Sequence, residues 1–246
     1  MNIISLVSKS LVRFIVGVFL LCVMIILIIN IEILPTYLKM IFTDAFVAEN
    51  YNGEQVYGGV LGALIILGIR RGAFSNEAGI GTAPMAHGAA KTNSPIKEGL
   101  VAMLGPAIDT LIVCTLTALA ILVTGVWKNE GVSGVTLTAL AFEHSMPIIG
   151  KYLLLFCILI FSVSSLFTYS YYGTKCMSFL FGAKNKKYYN YIYILSIVIG
   201  ATTSLSLMIN LIDSFFALMA IPTMLATLLL SPKVIIALKK YNKFKI

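Results

Sequence analysis

From Phe14 to Ile31 the chain runs without a single formal charge. A helix needs about 20 apolar residues to cross about 30 Å of hydrocarbon. In lipid the backbone must satisfy its own N–H and C=O groups, so a run of this kind is forced into a helix. Comparable runs follow at Gly99–Trp127, interrupted only by Asp109, and at Tyr152–Thr174, Tyr188–Ile212 and Ser214–Pro232. A further run begins near Val56, which gives about six transmembrane helices in an all-α integral membrane protein. Leu34–Phe46 carries Lys39 and Asp44 and is too short to cross, so it is expected as an interfacial helix. Charged residues make up 11% of the chain, against about 25% in soluble domains. That composition excludes a soluble enzyme and a disordered chain.

The net charge of +8 does not point to nucleic acid, because the basic residues sit in short segments between runs. With the N-terminus in the cytoplasm, inside segments hold Lys9 and Arg13, then Lys91 and Lys97, then Lys175, Lys184, Lys186 and Lys187. A basic tail over residues 233–246 adds Lys233, Lys239, Lys240, Lys243 and Lys245. Thirteen of the 18 basic residues therefore fall inside, as the positive-inside rule requires. Outside loops take Glu32, Asp44, Glu49, Glu54, Glu130 and Asp213, and His144. Both termini are expected in the cytoplasm of a multi-pass cell-membrane protein. The first run has no small-residue cleavage site and reads as a span. Cys22, Cys114, Cys157 and Cys176 show no paired spacing, so all four are expected as small buried hydrophobes rather than disulfide or zinc ligands.

The run that starts near Val56 is the irregular one. Continued to Ala90 as one helix it would measure about 52 Å, far more than one crossing. Its middle carries Arg70, Arg71, Asn76 and Glu77 together with Gly72, Gly79, Gly81 and Pro84. A charge at the bilayer centre costs about 2.5–3.5 kcal/mol on insertion scales, and non-helical backbone is tolerated there only inside protein or along a polar cavity. Two half-helices meeting at an unwound linker, Ser75–Gly81, are expected. The first would end in free carbonyls that attract cations, the second begin in free N–H groups that attract anions. A zwitterion with a sodium ion suits such a junction, its ammonium near Glu77 or the carbonyls, as at the central sites of secondary transporters. A packing kink would account for the glycines but not for Glu and Asn.

The stretch RRGAFSNEAGIGTAPMAHGAAK (Arg70–Lys91) closely resembles the signature of the alanine/glycine:cation symporter family, also called sodium:alanine symporters. EGLVAMLGPAIDTLIVCTLTALAIL (Glu98–Leu122), SYYGTKC (Ser170–Cys176) and MAIPTMLATLLLSP (Met219–Pro232) are similar to later parts of that family. The likeness runs nearly continuously from about residue 3 to residue 235. It implies the inverted-repeat architecture of the leucine-transporter superfold. Residues of about 14–31 would be the last helix of the first repeat, and about 56–232 the complete second repeat. The chain would then be a C-terminal half of a symporter, inactive alone. The alternative is a non-transporting fragment or a module that works with a complementary N-terminal half. The implied activity is sodium-coupled symport of small neutral amino acids such as alanine or glycine.

By the same resemblance Phe74, Ser75, Asn76, Glu77, Gly79 and Ile80 form the unwound substrate segment, with Phe74 or Ile80 shaping a side-chain pocket. Ser162, Ser164 and Ser165 are the expected sodium oxygens, best matched by the Ser165 hydroxyl and the Ser162 carbonyl. The alternative is that these hydroxyls bond to their own helix carbonyls. Arg71 and Asp109 are expected as a structural or gating ion pair involving Glu77, since one buried charge left alone is costly. His87 is expected to make a plain polar contact. An intramembrane enzyme is disfavoured: Ser75 and His87 show no nucleophile–base–orienter spacing, and there is no metal-ligand cluster. Sodium is the coupling ion, and no covalent cofactor is implied.

Overall fold

The computed structural model describes residues 2–46, 59–129 and 131–243. The expected start of a span at Val56, the acidic Glu49, Glu54 and Glu130, and the terminal Lys245 lie outside the described residues. Helices run at α1 (Asn2–Ile29), α2 (Leu34–Phe46), α3 (Gly59–Asn76), α4 (Thr82–His87) and α5 (Pro95–Ile108). After α5 the helix continues as a π-helical turn, Asp109–Cys114, into α6 (Thr115–Val123). Then come α7 (Val135–Ser145), α8 (Ile149–Phe181), α9 (Lys186–Thr202) and α10 (Leu205–Lys243). Among the described residues no strand occurs.

Among the described residues four stretches are long and apolar enough to cross a membrane: Leu11–Ile29, Pro95–Val123, Ile149–Phe181 and Leu205–Tyr241. The sequence reading drew six. Of the other two, α3 carries both Arg70 and Arg71 within its 18 residues, and α9 is only 17 residues long. The expected Tyr188–Ile212 run divides at Thr203, whose backbone is extended. There the Thr202 hydroxyl bonds back to the Ile199 carbonyl at 2.9 Å and the Thr203 hydroxyl to the Gly200 carbonyl at 3.1 Å. Such bonds offer the backbone an alternative to continuing the helix. The division corrects a second expectation: Asp213 sits in α10, not in an outside loop.

The chain divides into two compact units. One comprises residues 1–68 and 110–167, and its core gathers Cys22, Val23, Ile26 and Leu27 of α1 with Leu119, Ala120 and Val123 of α6. Phe142 of α7 and Leu154 of α8 complete it, and Phe142 stacks on Phe19 with ring centroids 5.8 Å apart. The α1 contributors recur at helical spacing and so share one face. The opposite face, with Leu21, Met24, Ile25 and Ile28, is exposed and equally apolar, which suits a helix whose solvent is hydrocarbon. In that solvent, packing rather than water exclusion holds helices together. Ile26→Val, which removes one methylene from this fully buried position, is expected to lower stability by about 0.5–1.5 kcal/mol, read from thermal unfolding in micelles.

α7 was not anticipated. Its 11 residues lie in the segment read as an outside loop, yet Ala141 and Phe142 are buried, and His144 stands in its last turn. A helix is found at Leu34–Phe46, the stretch too short to cross, with Leu34 and Tyr37 packed against the core of the same unit. Cys22 and Cys157 are buried, but Cys114 and Cys176 are exposed, which corrects the expectation for two of the four cysteines. In lipid an exposed thiol has no cost of the kind it would have in water, so burial is not required of it.

The other unit comprises residues 69–109 and 168–246. It holds the end of α3, α4, α5, the last part of α8, α9 and α10. Arg70 of α3 forms an ion pair with Asp213 of α10, whose side chain is 5% exposed. Gly173 of α8 lies so close to the Tyr189 ring of α9 that a methyl group would overlap it.

Candidate functional site

Helix α3 stops at Asn76 and α4 starts at Thr82, so five residues, Glu77–Gly81, interrupt the helical path. The interruption is two residues shorter than expected, because Ser75 and Asn76 remain in the last turn of α3. Local chemistry sets it. Asn76 Oδ1 accepts the Ala78 N–H at 3.0 Å, an Asx turn that takes the place of helical continuation. Glu77 then adopts φ +53°, and Gly79 and Gly81 adopt +83° and +94°. Glycine enters that left-handed region freely; another L-residue does so at a cost of about 1–2 kcal/mol. At Gly81 the space is also closed, since an added Cβ would lie 2.8 Å from Thr223 Oγ1.

Side chains from three helices of this unit meet the break. The Ser75 hydroxyl donates to Asp109 Oδ2 at 2.7 Å, and Asp109 is the first residue of the π-helical turn. That turn widens the helix, and the Thr115 hydroxyl reaches the Thr110 carbonyl at 3.3 Å across it. The Tyr169 hydroxyl of α8 donates to Glu77 Oε1. His87, at the end of α4, lies 2.7 Å from Glu98 of α5, the plain polar contact expected of it. Ser75, Glu77, His87 and Asp109 border a cavity of about 540 Å³, within the range of small-ligand pockets. Its wall carries Glu77, Asp109 and His87, along with Ser75, Asn76 and Tyr172, and no lysine or arginine among the described residues that line it.

The structure thus brings Ser75, Asn76, Glu77, Gly79 and Asp109 to one cavity. Ile80 is buried at 5% exposure and is not part of the wall; the side chain of Phe74 lies outside the described residues. Ser162, Ser164 and Ser165 belong to the first unit, where Ser162 and Ser165 are exposed on α8. The expected Arg71–Asp109 ion pair is not among those the described residues make. Arg70 takes the buried carboxylate of Asp213 instead, and Asp109 is met by a hydroxyl. Adjacent arginines point about 100° apart around a helix, so only tertiary packing chooses between them.

Sequence reasoning missed Tyr169, Glu98 and Asp213 as partners, and also Thr82. The Thr82 hydroxyl is buried without a hydrogen-bond partner among the described residues. A tyrosine deep in an apolar run is a signal that could have singled out Tyr169, because a buried phenol needs an acceptor. Nothing in the spacing connects residues 77 and 169. Tyr169→Phe is expected to lower stability by about 1.5 kcal/mol, the lower end for bonds to charged groups because the cavity leaves Glu77 partly hydrated. Thermal unfolding in micelles checks it.

An all-helical membrane protein with a helix interrupted beside a polar cavity has the construction of secondary carriers. The chain belongs to the sodium:alanine symporter family, which it matches over residues 1–246. It is 36% identical over 95% of its length to the "Sodium/alanine symporter AgcS" of Methanococcus maripaludis, of which it covers 51%. It is 38% identical over 88% of its length to the "Probable sodium/glutamine symporter GlnT" of Bacillus subtilis, covering 44% of that protein. With the "Amino-acid carrier protein AlsT" of the same organism it shares 31% identity over 96% of its length, covering 50%. The chain spans about half the length of the curated relatives it matches. The family is one of transporters, not enzymes, in line with the absence of a catalytic arrangement in the sequence reading.

Proposed function

We propose that the chain forms part of a sodium-coupled symporter for small neutral amino acids, alanine or glycine, with its substrate at the Glu77–Gly81 break. The observation that carries this reading is the cavity wall: two carboxylates and a histidine, with no lysine or arginine among its described residues. Such a wall favours a ligand bearing positive charge, as an amino acid's ammonium or a sodium ion does. Glu77 and Asp109 are placed for the ammonium, and backbone N–H groups freed by the break for the carboxylate. Sodium, a hard cation that takes oxygen ligands, is assigned to Ser162, Ser164 and Ser165 of α8. In symport the two bindings are coupled, each ligand tightening the other by one shared free energy.

In this reading α3 to α10 are the second repeat of a leucine-transporter-like fold, α1 closes the first repeat, and both termini face the cytoplasm. The names of relatives support the coupling and the substrate class: one is a sodium/alanine symporter, and one a "Sodium/proton-dependent alanine carrier protein" from Bacillus sp. strain PS3. The test is uptake of radiolabelled alanine into proteoliposomes under an inward sodium gradient. It is run on the chain alone and together with a polypeptide supplying the part of the relatives' length outside the match. Sodium-dependent uptake, inhibited by glycine, is expected from the combined polypeptides and not from the chain alone. Uptake that is equal with potassium in place of sodium, or absent from both arms, overturns the proposal.

A further inference from the structure

A second cavity of about 540 Å³ lies in the same unit, between the first turns of α5 and the far part of α10. Ile96, Leu100 and Met103 of α5 face Leu230, Val234 and Leu238 of α10 across it. These residues recur every three or four positions, so each helix offers one apolar stripe and the two stripes make a groove. Lys233 is the single charged residue in the wall. Lys97 is exposed on α5 next to Ile96, and Lys239 and Lys240 follow Leu238 on α10. The acidic residue closest in sequence, Glu98, is already engaged by His87 at 2.7 Å. An apolar trough with the Lys233 ammonium in its wall, in no ion pair among the described residues, has the two-part character of an anionic phospholipid. The trough suits acyl chain, and the lysines suit the phosphate.

We infer that this groove between α5 and α10 is a binding site for an anionic phospholipid, with an acyl chain along the Leu100–Val234 trough and the headgroup phosphate at Lys233. Basic pockets between membrane helices hold acidic headgroups by the same physics. The groove shares only Met103 with the cavity at the helix break, and its test does not depend on transport.

The test is native mass spectrometry of the delipidated full chain, titrated with phosphatidylglycerol and with phosphatidylcholine of identical acyl chains. Phosphatidylglycerol is expected to bind about fivefold tighter, as one lysine near a headgroup supplies. Lys233→Gln should bring the two lipids to within about twofold by removing that lysine. Gly99→Leu fills the trough from a wall position where an added Cβ meets nothing within 4 Å. It should weaken both lipids without loss of folding, since leucine favours helix over glycine. Soluble glycerol phosphate should displace neither lipid. Equal binding of the two lipids by the native chain overturns the inference, as do variants that bind like the native chain. Displacement by glycerol phosphate also overturns it, because it assigns the lysines to a free phosphate. A change in oligomeric state on Gly99→Leu with unchanged lipid binding overturns it in favour of a second copy of the chain.

Discussion

Glu77→Gln is expected to reduce sodium-driven alanine uptake by about 10- to 100-fold, in whichever reconstitution arm carries that uptake. The figure is the loss of a charge-assisted contact, about 1.5–3 kcal/mol, at tenfold for every 1.4 kcal/mol or so. Glutamine is the informative replacement. It keeps the length of the side chain and an oxygen that the Tyr169 hydroxyl can reach. It must also hold the same φ of +53°, so backbone strain is unchanged and only the charge is lost. Thermal stability should therefore move little while uptake falls. If uptake is unchanged at limiting alanine, Glu77 makes no charge contact to the substrate, and the ammonium assignment passes to Asp109 alone. If stability falls as steeply as uptake, the carboxylate holds the break together and is not a substrate contact.

Gly81→Ala carries the largest expected effect on folding, about 2–5 kcal/mol. Two penalties add there. An L-residue at φ +94° costs about 1–2 kcal/mol, and forcing a methyl to 2.8 Å from Thr223 Oγ1 adds about 1–3 kcal/mol of overpacking. Gly79 separates the two. At φ +83° with nothing within 4 Å of an added Cβ, Gly79→Ala should lose only the backbone part, about 1–2 kcal/mol. Removing the obstacle with Thr223→Ala should restore the difference, which a double-mutant cycle measures as a coupling between positions 81 and 223. Equal losses for Gly79→Ala and Gly81→Ala would mean that α10 yields at Thr223 and that the close approach does not define the break.

The break was legible because its cause is local. Two glycines at left-handed positions, an Asx turn from Asn76 and charges where lipid forbids them are all properties of a short stretch read in order. The short α2 was legible for the same reason, its length and mixed composition being set within 13 residues. Other segments were harder to read. The division at Thr203 depends on threonine hydroxyls turning back to their own helix, which hydropathy does not register. The apolar run passes over Thr203 unbroken, so Asp213 was placed at the end of a span when it lies inside one. α7 escaped because a short buried helix and an exposed loop of mixed composition look alike until Phe142 is seen to fill the core.

The sequence by itself determined that this is a helical membrane protein, that one helix is interrupted within Ser75–Gly81, and which family the interrupted stretch resembles. Each follows from residues next to one another, where hydrocarbon solvation and backbone sterics act without reference to the rest of the fold. Tertiary structure alone decided the partners: Tyr169 for Glu77, Ser75 for Asp109, and Arg70 rather than Arg71 for Asp213. Those choices depend on the rotation of each helix about its axis. That rotation is fixed by how side chains from distant segments pack, which in a chain apolar on every face leaves no periodic trace to read.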